Sequence, residues 1–157
     1  MAEFRRGVRL GLDWGDARIG VAACDRDGLL AYPLDTVAAG PQELVRLAEL
    51  VAEHEPLEVV VGLPRSLNGT DGPAAVKVRE RAVALARAVG VPVRLVDERL
   101  TTVAASRRLS EGGKRAKQQR SLIDAASAAA ILEQAVAVER SRGEAAGELV
   151  SATGPGD

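Results

Sequence analysis

Three carboxylates stand beside apolar segments that a fold would be expected to bury. Asp13 ends the run Gly-Val-Arg-Leu-Gly-Leu-Asp (7–13), Glu98 follows Val-Pro-Val-Arg-Leu-Val (91–96), and Asp124 opens an alanine-rich helix. Keeping an acid charged next to a core is costly unless something positive meets it, and a hydrated divalent cation is one such partner. Together the three suit two-metal phosphodiester hydrolysis. Two ions about 3.5–4 Å apart activate water and stabilise the leaving oxygen, so the protein needs little beyond carboxylates. The expected cofactor is Mg²⁺ or Mn²⁺.

Each acid also has a purely structural reading. Asp13 lies in Gly11-Leu12-Asp13-Trp14-Gly15 and can simply start a turn, while Gly15 without a side chain lets a ligand approach. Glu98 lies in Asp97-Glu98-Arg99-Leu100-Thr101-Thr102, where a threonine can cap the next helix. It also follows a strand end, where α/β proteins place ligands. Ser121-Leu122-Ile123-Asp124 fits a capping box, yet helical spacing sets Asp124 beside Ala128, Ile131 and Ala135 on an apolar face. A fourth segment, Val61 to Thr70, follows another apolar run. Its Arg65, Ser66, Asn68 and Thr70 can meet phosphate oxygens or just form a polar connection.

The elements that must position these residues follow from periodicity. Residues 7–13 and 18–24 read as strands joined through Gly15 and Asp16, and 28–35 as a third strand, with Pro33 pointing to an edge. Short connections make these an antiparallel meander. A helix is expected over 41–54, with Leu44, Leu47, Ala48 and Val51 on one face. The run 57–62 reads as a strand buried on both faces, followed by a helix over 73–89 and a strand over 91–96, a βαβ unit. Helices beginning near Thr101 and Ser121 complete the set, separated by a flexible basic segment from Gly112 to Gln119. The sequence therefore predicts an α/β fold: a mixed five-stranded sheet, three antiparallel strands then parallel ones, flanked by helices. Residues 1–139 form the expected domain, and 140–157, small and polar, a disordered tail.

Composition narrows the function classes. With 157 residues, 46% hydrophobic and 27% charged, the chain can build a core without disulfides. Phe4, Trp14 and Tyr32 are its only aromatic residues, which excludes a stacking platform for single strands. The net charge of −1 gives no global basic field, although Arg107, Arg108, Lys114, Arg115, Lys117 and Arg120 cluster in one stretch. Cys24 is the lone cysteine and reads as a small buried residue at a strand end. His54 is the lone histidine and reads as a helix-terminal residue. Neither a membrane span nor a signal-peptide core is visible, so a cytoplasmic location is expected.

Four motifs occur in one order: Gly11-Leu12-Asp13-x-Gly15-x-x-Arg18-Ile19-Gly20-Val21-Ala22, Val61-Gly62-Leu63-Pro64 with Asn68-Gly69, Asp97 to Thr102, and Asp124-Ala125-x-x-Ala128-Ala129. In that order they closely resemble the YqgF/RuvX family of Holliday-junction-resolvase-like proteins and pre-16S ribosomal RNA nucleases, over roughly residues 7–138. The resemblance implies an RNase H-like fold in which Asp13, Glu98 and Asp124 are catalytic and metal-binding. Arg18, Arg65, Asn68, Arg99, Thr101, Lys114, Arg115, Lys117 and Arg120 are then the candidates for holding nucleic acid. Trp14 and the tail beyond Arg140 depart from the family pattern, which bears on substrate fit or assembly.

The implied partner is structured RNA, with nuclease action at the 5′ end of the small-subunit ribosomal RNA precursor, and no membrane. The alternative is a junction resolvase acting on branched DNA. Symmetric cutting by it needs two active sites and so a homodimer. A phosphotransferase of the actin and sugar-kinase type shares an Asp-x-Gly turn but needs a second lobe. A non-catalytic RNA-binding assembly factor would tolerate loss of Asp13.

Overall fold

The computed structural model describes residues 4–65, 68, 70–98 and 116–151, with the side chains of 116–123 outside that description. Its elements are β1 (Arg9–Trp14), β2 (Arg18–Cys24), β3 (Ala31–Ala38), α1 (Glu43–His54), β4 (Glu58–Leu63), α2 (Pro73–Ala88), β5 (Val93–Asp97), α3 (Ala116–Arg142) and β6 (Glu148–Leu149). The strands form one sheet in the order β3-β2-β1-β4-β5-β6. β1, β2 and β3 pair antiparallel, while β1, β4 and β5 run parallel. Pro33 lies on β3, an edge strand, where its missing N–H breaks no second ladder.

Alternation along the strands sorts side chains onto two faces. Leu10, Leu12 and Trp14 of β1 join Ile19, Val21, Val59, Val61 and Leu95 in one core layer with α1 and α2. That layer is built from the amphipathic faces of both helices: Leu47, Leu50 and Val51 on α1, and Ala75, Val78, Ala82 and Leu85 on α2. The opposite layer holds Ala22, Cys24, Val60 and Val96 against Ala128, Ile131, Leu132 and Ala135 of α3. With 27 residues, α3 is about 40 Å long and crosses β1 to β4.

Small residues let that helix lie close. A Cβ on Gly11 would sit 2.7 Å from the Ala128 carbonyl oxygen, and one on Gly20 would collide with the Asp124 carbonyl. The C-terminal half of α3 is fixed by a buried ionic network. Arg5 Nη2 donates to Glu58 Oε1 at 2.6 Å and Glu139 Oε1 at 2.7 Å, and Arg9 Nη2 reaches Glu139 Oε2 at 3.0 Å.

Three expectations need correction. The sheet has six strands, because residues expected to be a disordered tail add β6: Leu149 pairs with Arg94, and Val150 N–H donates to the Val93 carbonyl at 2.8 Å. Two strand residues are too short a signal to read locally, and the open edge of β5 supplies the reason they order. Second, α3 already includes Ala116–Gln119, read from the sequence as part of a flexible loop. Third, Asp124 is therefore in the third turn of α3, out of reach of the first-turn amides that a capping box serves. The helix expected near Thr101 lies outside the described residues.

Candidate active site

Period-two alternation places Arg9, Gly11 and Asp13 on the α3 side of β1, so Asp13 ends up buried under the helix. Across the ladder Asp13 pairs with Gly20. Because Gly20 has no side chain, the backbone of Asp124 settles directly on it, which brings Asp124 beside Asp13. On the other side of β1, Leu12 pairs with Val61 of the adjacent β4, so the next residue of β4, Gly62, is level with Asp13. A Cβ on Gly62 would lie 3.8 Å from the carboxyl carbon of Glu98, itself buried one residue past β5. Asp13 and Glu98 thus share the carboxyl-end side of the sheet, and Asp124 approaches them from the helix that covers this face.

Their charges influence one another. The Glu98 carboxyl is pushed above the ordinary glutamate value, first by burial and then by the negative charges of Asp124 and Asp97. Asp124 has a positive neighbour: Arg18 Nε donates to its Oδ2 at 3.0 Å. Among the described residues no three acidic, histidine or cysteine side chains are gathered tightly around one point. Asp13 and Glu98 share one side of the sheet, with Asp124 engaged by Arg18. As donors the three offer only carboxylate oxygen, which suits Mg²⁺ or Mn²⁺ and not a soft metal. Buried like charges with a raised carboxyl are also what a cation at this point would relieve.

Asp13 and Glu98 open into a cleft of about 400 Å³ between the strand ends and α2. Its other wall carries Lys77 and Arg81, which the sequence reading missed by treating 73–89 only as a packing helix. The available signal was the pair of cations four residues apart, hence on one helix face. Arg65 is near the cleft but engaged: its Nε meets Asp71 Oδ1 at 3.1 Å, and Asp71 also binds Arg79. Asn68 shapes its own loop, its Oδ1 accepting from Thr70 Oγ1 at 2.7 Å. Lys117 and Arg120 lie on the first turns of α3. Arg99, Thr101, Lys114 and Arg115 fall outside the described residues.

Trp14 points away from the α3 side, and its indole N–H donates to Glu43 Oε2 at 2.8 Å at the start of α1. It packs in the core layer of α1 and α2, and its edge also lines the cleft that Asp13 and Glu98 open into. Cys24 is buried at the end of β2, with burial raising its thiol, and His54 is the last residue of α1. Both match their expected places.

A family model described as RuvX, Holliday junction resolvase, matches residues 7–137. The chain belongs to the RuvX family. A relative from Streptomyces avermitilis, provisionally named a pre-16S rRNA nuclease, is 58% identical over 150 residues, covering 94% of this chain and 96% of the relative. A Streptomyces coelicolor protein of the same provisional name is 57% identical, with 94% and 90% covered. Among solved structures, Thermus thermophilus RuvC in complex with a Holliday junction substrate superposes with a TM-score of 0.55 at 24% identity. That match covers 86% of this chain and 96% of RuvC. At that identity the likeness concerns the fold, and it agrees with the RNase H-like architecture expected from the RuvX resemblance. No helix among the described residues is long and apolar enough to cross a membrane.

Proposed function

We propose that this RuvX-family protein is a divalent-metal-dependent nuclease that cuts phosphodiester bonds in the 5′ region of pre-16S ribosomal RNA, in the cytoplasm. The observation that carries the reading is the approach of Asp124 to Asp13 and Glu98 on the carboxyl-end side of the sheet, with Asp13 and Glu98 lining an open cleft. The RNA substrate is supported by the names of relatives more than half identical over nearly the whole chain.

In this reading Asp13, Glu98 and Asp124 hold Mg²⁺ or Mn²⁺. When bound, the ion supplies an activated water and neutralises charge on the leaving oxygen. Asp13 and Glu98 are fixed by strand ends and by burial, so their orientation is set before substrate arrives. Asp124 rides on α3, and Arg18 holds its carboxylate in position. Arg18 is also within reach of the same strand end, where a guanidinium can turn from carboxylate to phosphate with equal geometry. Arg99, Thr101, Lys114, Arg115, Lys117 and Arg120 are assigned to the RNA backbone, with Arg65 and Asn68 ordering the loop after β4.

The family description favours a second reading, resolution of four-way DNA junctions by a two-fold dimer. One experiment addresses both. Labelled precursor ribosomal RNA, linear RNA and a four-way DNA junction are incubated with Mg²⁺ or Mn²⁺ and either wild type or Asp13→Asn. Metal-dependent cutting of the precursor that Asp13→Asn lacks is expected. Preference for the junction would replace the first reading with the second. Binding without any cutting, unchanged in the variant, would leave a non-catalytic assembly factor.

A further inference from the structure

We propose that Lys77 and Arg81 of α2 form a phosphate-holding wall facing Asp13 and Glu98, gripping the backbone of the nucleic-acid strand presented for cutting. The proposal rests on the nuclease reading and adds the surface that overcomes its main electrostatic obstacle. A cleft lined by Asp13, Asp16 and Glu98 repels a polyanion, and the chain's net charge of −1 supplies no compensating global field. Attraction therefore has to be local.

Lys77 and Arg81 stand four residues apart on one face of α2, with side chains on the same cleft as the two acids. Neighbouring cations are committed elsewhere. Arg79 bridges Asp71 and Glu148, Arg65 pairs with Asp71, and Arg18 holds Asp124. Arg81 by contrast makes, among the described residues, only long contacts, 3.5 Å to the Gly15 carbonyl and 3.8 Å to the carboxylate of Asp16, itself 83% exposed. Lys77 is exposed and carries no ion pair among the described residues. Loosely held charges of this kind can transfer to an incoming phosphate without first breaking a strong bridge. The Arg81 guanidinium suits two phosphate oxygens at once, and the Lys77 ammonium acts as a mobile point charge.

Stacking does not compete as an explanation. The indole N–H of Trp14 is bound to Glu43, Tyr32 is on the edge strand β3, and Phe4 is sandwiched between Arg9 and Arg140. Trp14 does line the cleft, but it is only 5% exposed and its indole N–H is already committed, so the grip on nucleic acid there comes from charge.

The bland competitor is that the two cations merely offset the acids. Binding of a fluorescein-labelled RNA hairpin with a single-stranded extension, measured by anisotropy across a KCl series in Ca²⁺, separates the two. Lys77→Ala and Arg81→Ala are each expected to lower the log–log salt slope by about 1, and the double variant by about 2. That corresponds to roughly ten-fold weaker binding per residue near 0.1 M salt. Arg81→Lys should restore most of the slope, which a packing role for the guanidinium would not. A double variant with wild-type slope and circular dichroism overturns the proposal. So does an unchanged slope with altered Mn²⁺ affinity, which would make the cations charge compensation only. Wild type that binds RNA with the expected slope loss in the variants yet never cuts defeats the nuclease reading while the grip stands. Cutting by wild type with no slope change in the variants does the reverse.

Discussion

Arg18 Nε lies 3.0 Å from Asp124 Oδ2, tying the first residue of β2 to the third turn of α3 directly above the paired residues Asp13 and Gly20. The pair is about one-fifth exposed on each side, so it is screened less than a surface bridge and costs less to form than a fully buried one. It holds one candidate ligand in place and at the same time competes with any cation for it.

Arg18→Ala should therefore separate metal binding from turnover. Released from its guanidinium, Asp124 is expected to raise Mn²⁺ affinity in the absence of nucleic acid by several-fold, about 1 kcal/mol. RNA cleavage should fall, because the carboxylate loses its fixed orientation. Calorimetric titration with Mn²⁺ alongside cleavage assays checks both. Weaker Mn²⁺ binding in the variant would show that Arg18 assists the ion.

Glu98→Gln should stabilise the metal-free protein at neutral pH while abolishing cutting. The folded state holds the Glu98 proton more tightly than the unfolded chain does, since burial and then Asp124 and Asp97 raise its carboxyl. Stability is thus lost as pH rises from the ordinary glutamate value of 4.5 through the raised one, and the deficit is complete above it. The gain in melting temperature for the variant should shrink as pH is lowered through that window. Each kcal/mol corresponds to about 2–4 °C for a chain of this size. Added Mn²⁺ should raise the wild-type melting temperature more than that of the variant.

Two glycine substitutions should differ in cost. At Gly20 a methyl group meets the backbone of Asp124, which cannot rotate aside, so Gly20→Ala should lift α3 at about 1–3 kcal/mol or more. At Gly62 the nearest atom is Ile131 Cδ1, 2.5 Å away at the end of a flexible side chain. Gly62→Ala should therefore cost less. Urea unfolding of the two variants gives the comparison, and equal losses would contradict the close docking of Asp124.

Glu139→Ala should cost about 3–5 kcal/mol, because it leaves the nearly inaccessible Arg9 without its carboxylate. Burial acts to raise the Glu139 carboxyl, but the hydrogen bonds from Arg5 and the charges of Arg9 and Arg5 outweigh it and hold it low. That contribution to stability is present above the ordinary glutamate range and is lost as pH falls toward the depressed value. Thermal melts from pH 7 to pH 3 should show a shallower acid loss for Glu139→Gln than for wild type.

Local chemistry determined much of this protein. Alternation and β-branched runs such as Glu58–Leu63 specify strands, short connections specify the antiparallel trio, and the apolar faces of α1 and α2 specify packing helices. The same locality puts Asp13 and Glu98 at strand ends, because a strand boundary is legible from a few adjacent residues. What only the tertiary structure decided involves residues distant in sequence. Arg18 and Asp124 are 106 positions apart, and their pairing depends on sheet register and on a helix that begins about five residues earlier than the capping pattern at Ser121 suggested. The cations of α2 become cleft residues only once β1 and β5 are laid beside that helix, and the last strand orders only because β5 leaves an edge to pair with. Periodicity reports which face a side chain takes within its own element. Which faces then meet is set by long-range packing, where a missing side chain at Gly20 or Gly62 matters as much as any side chain present.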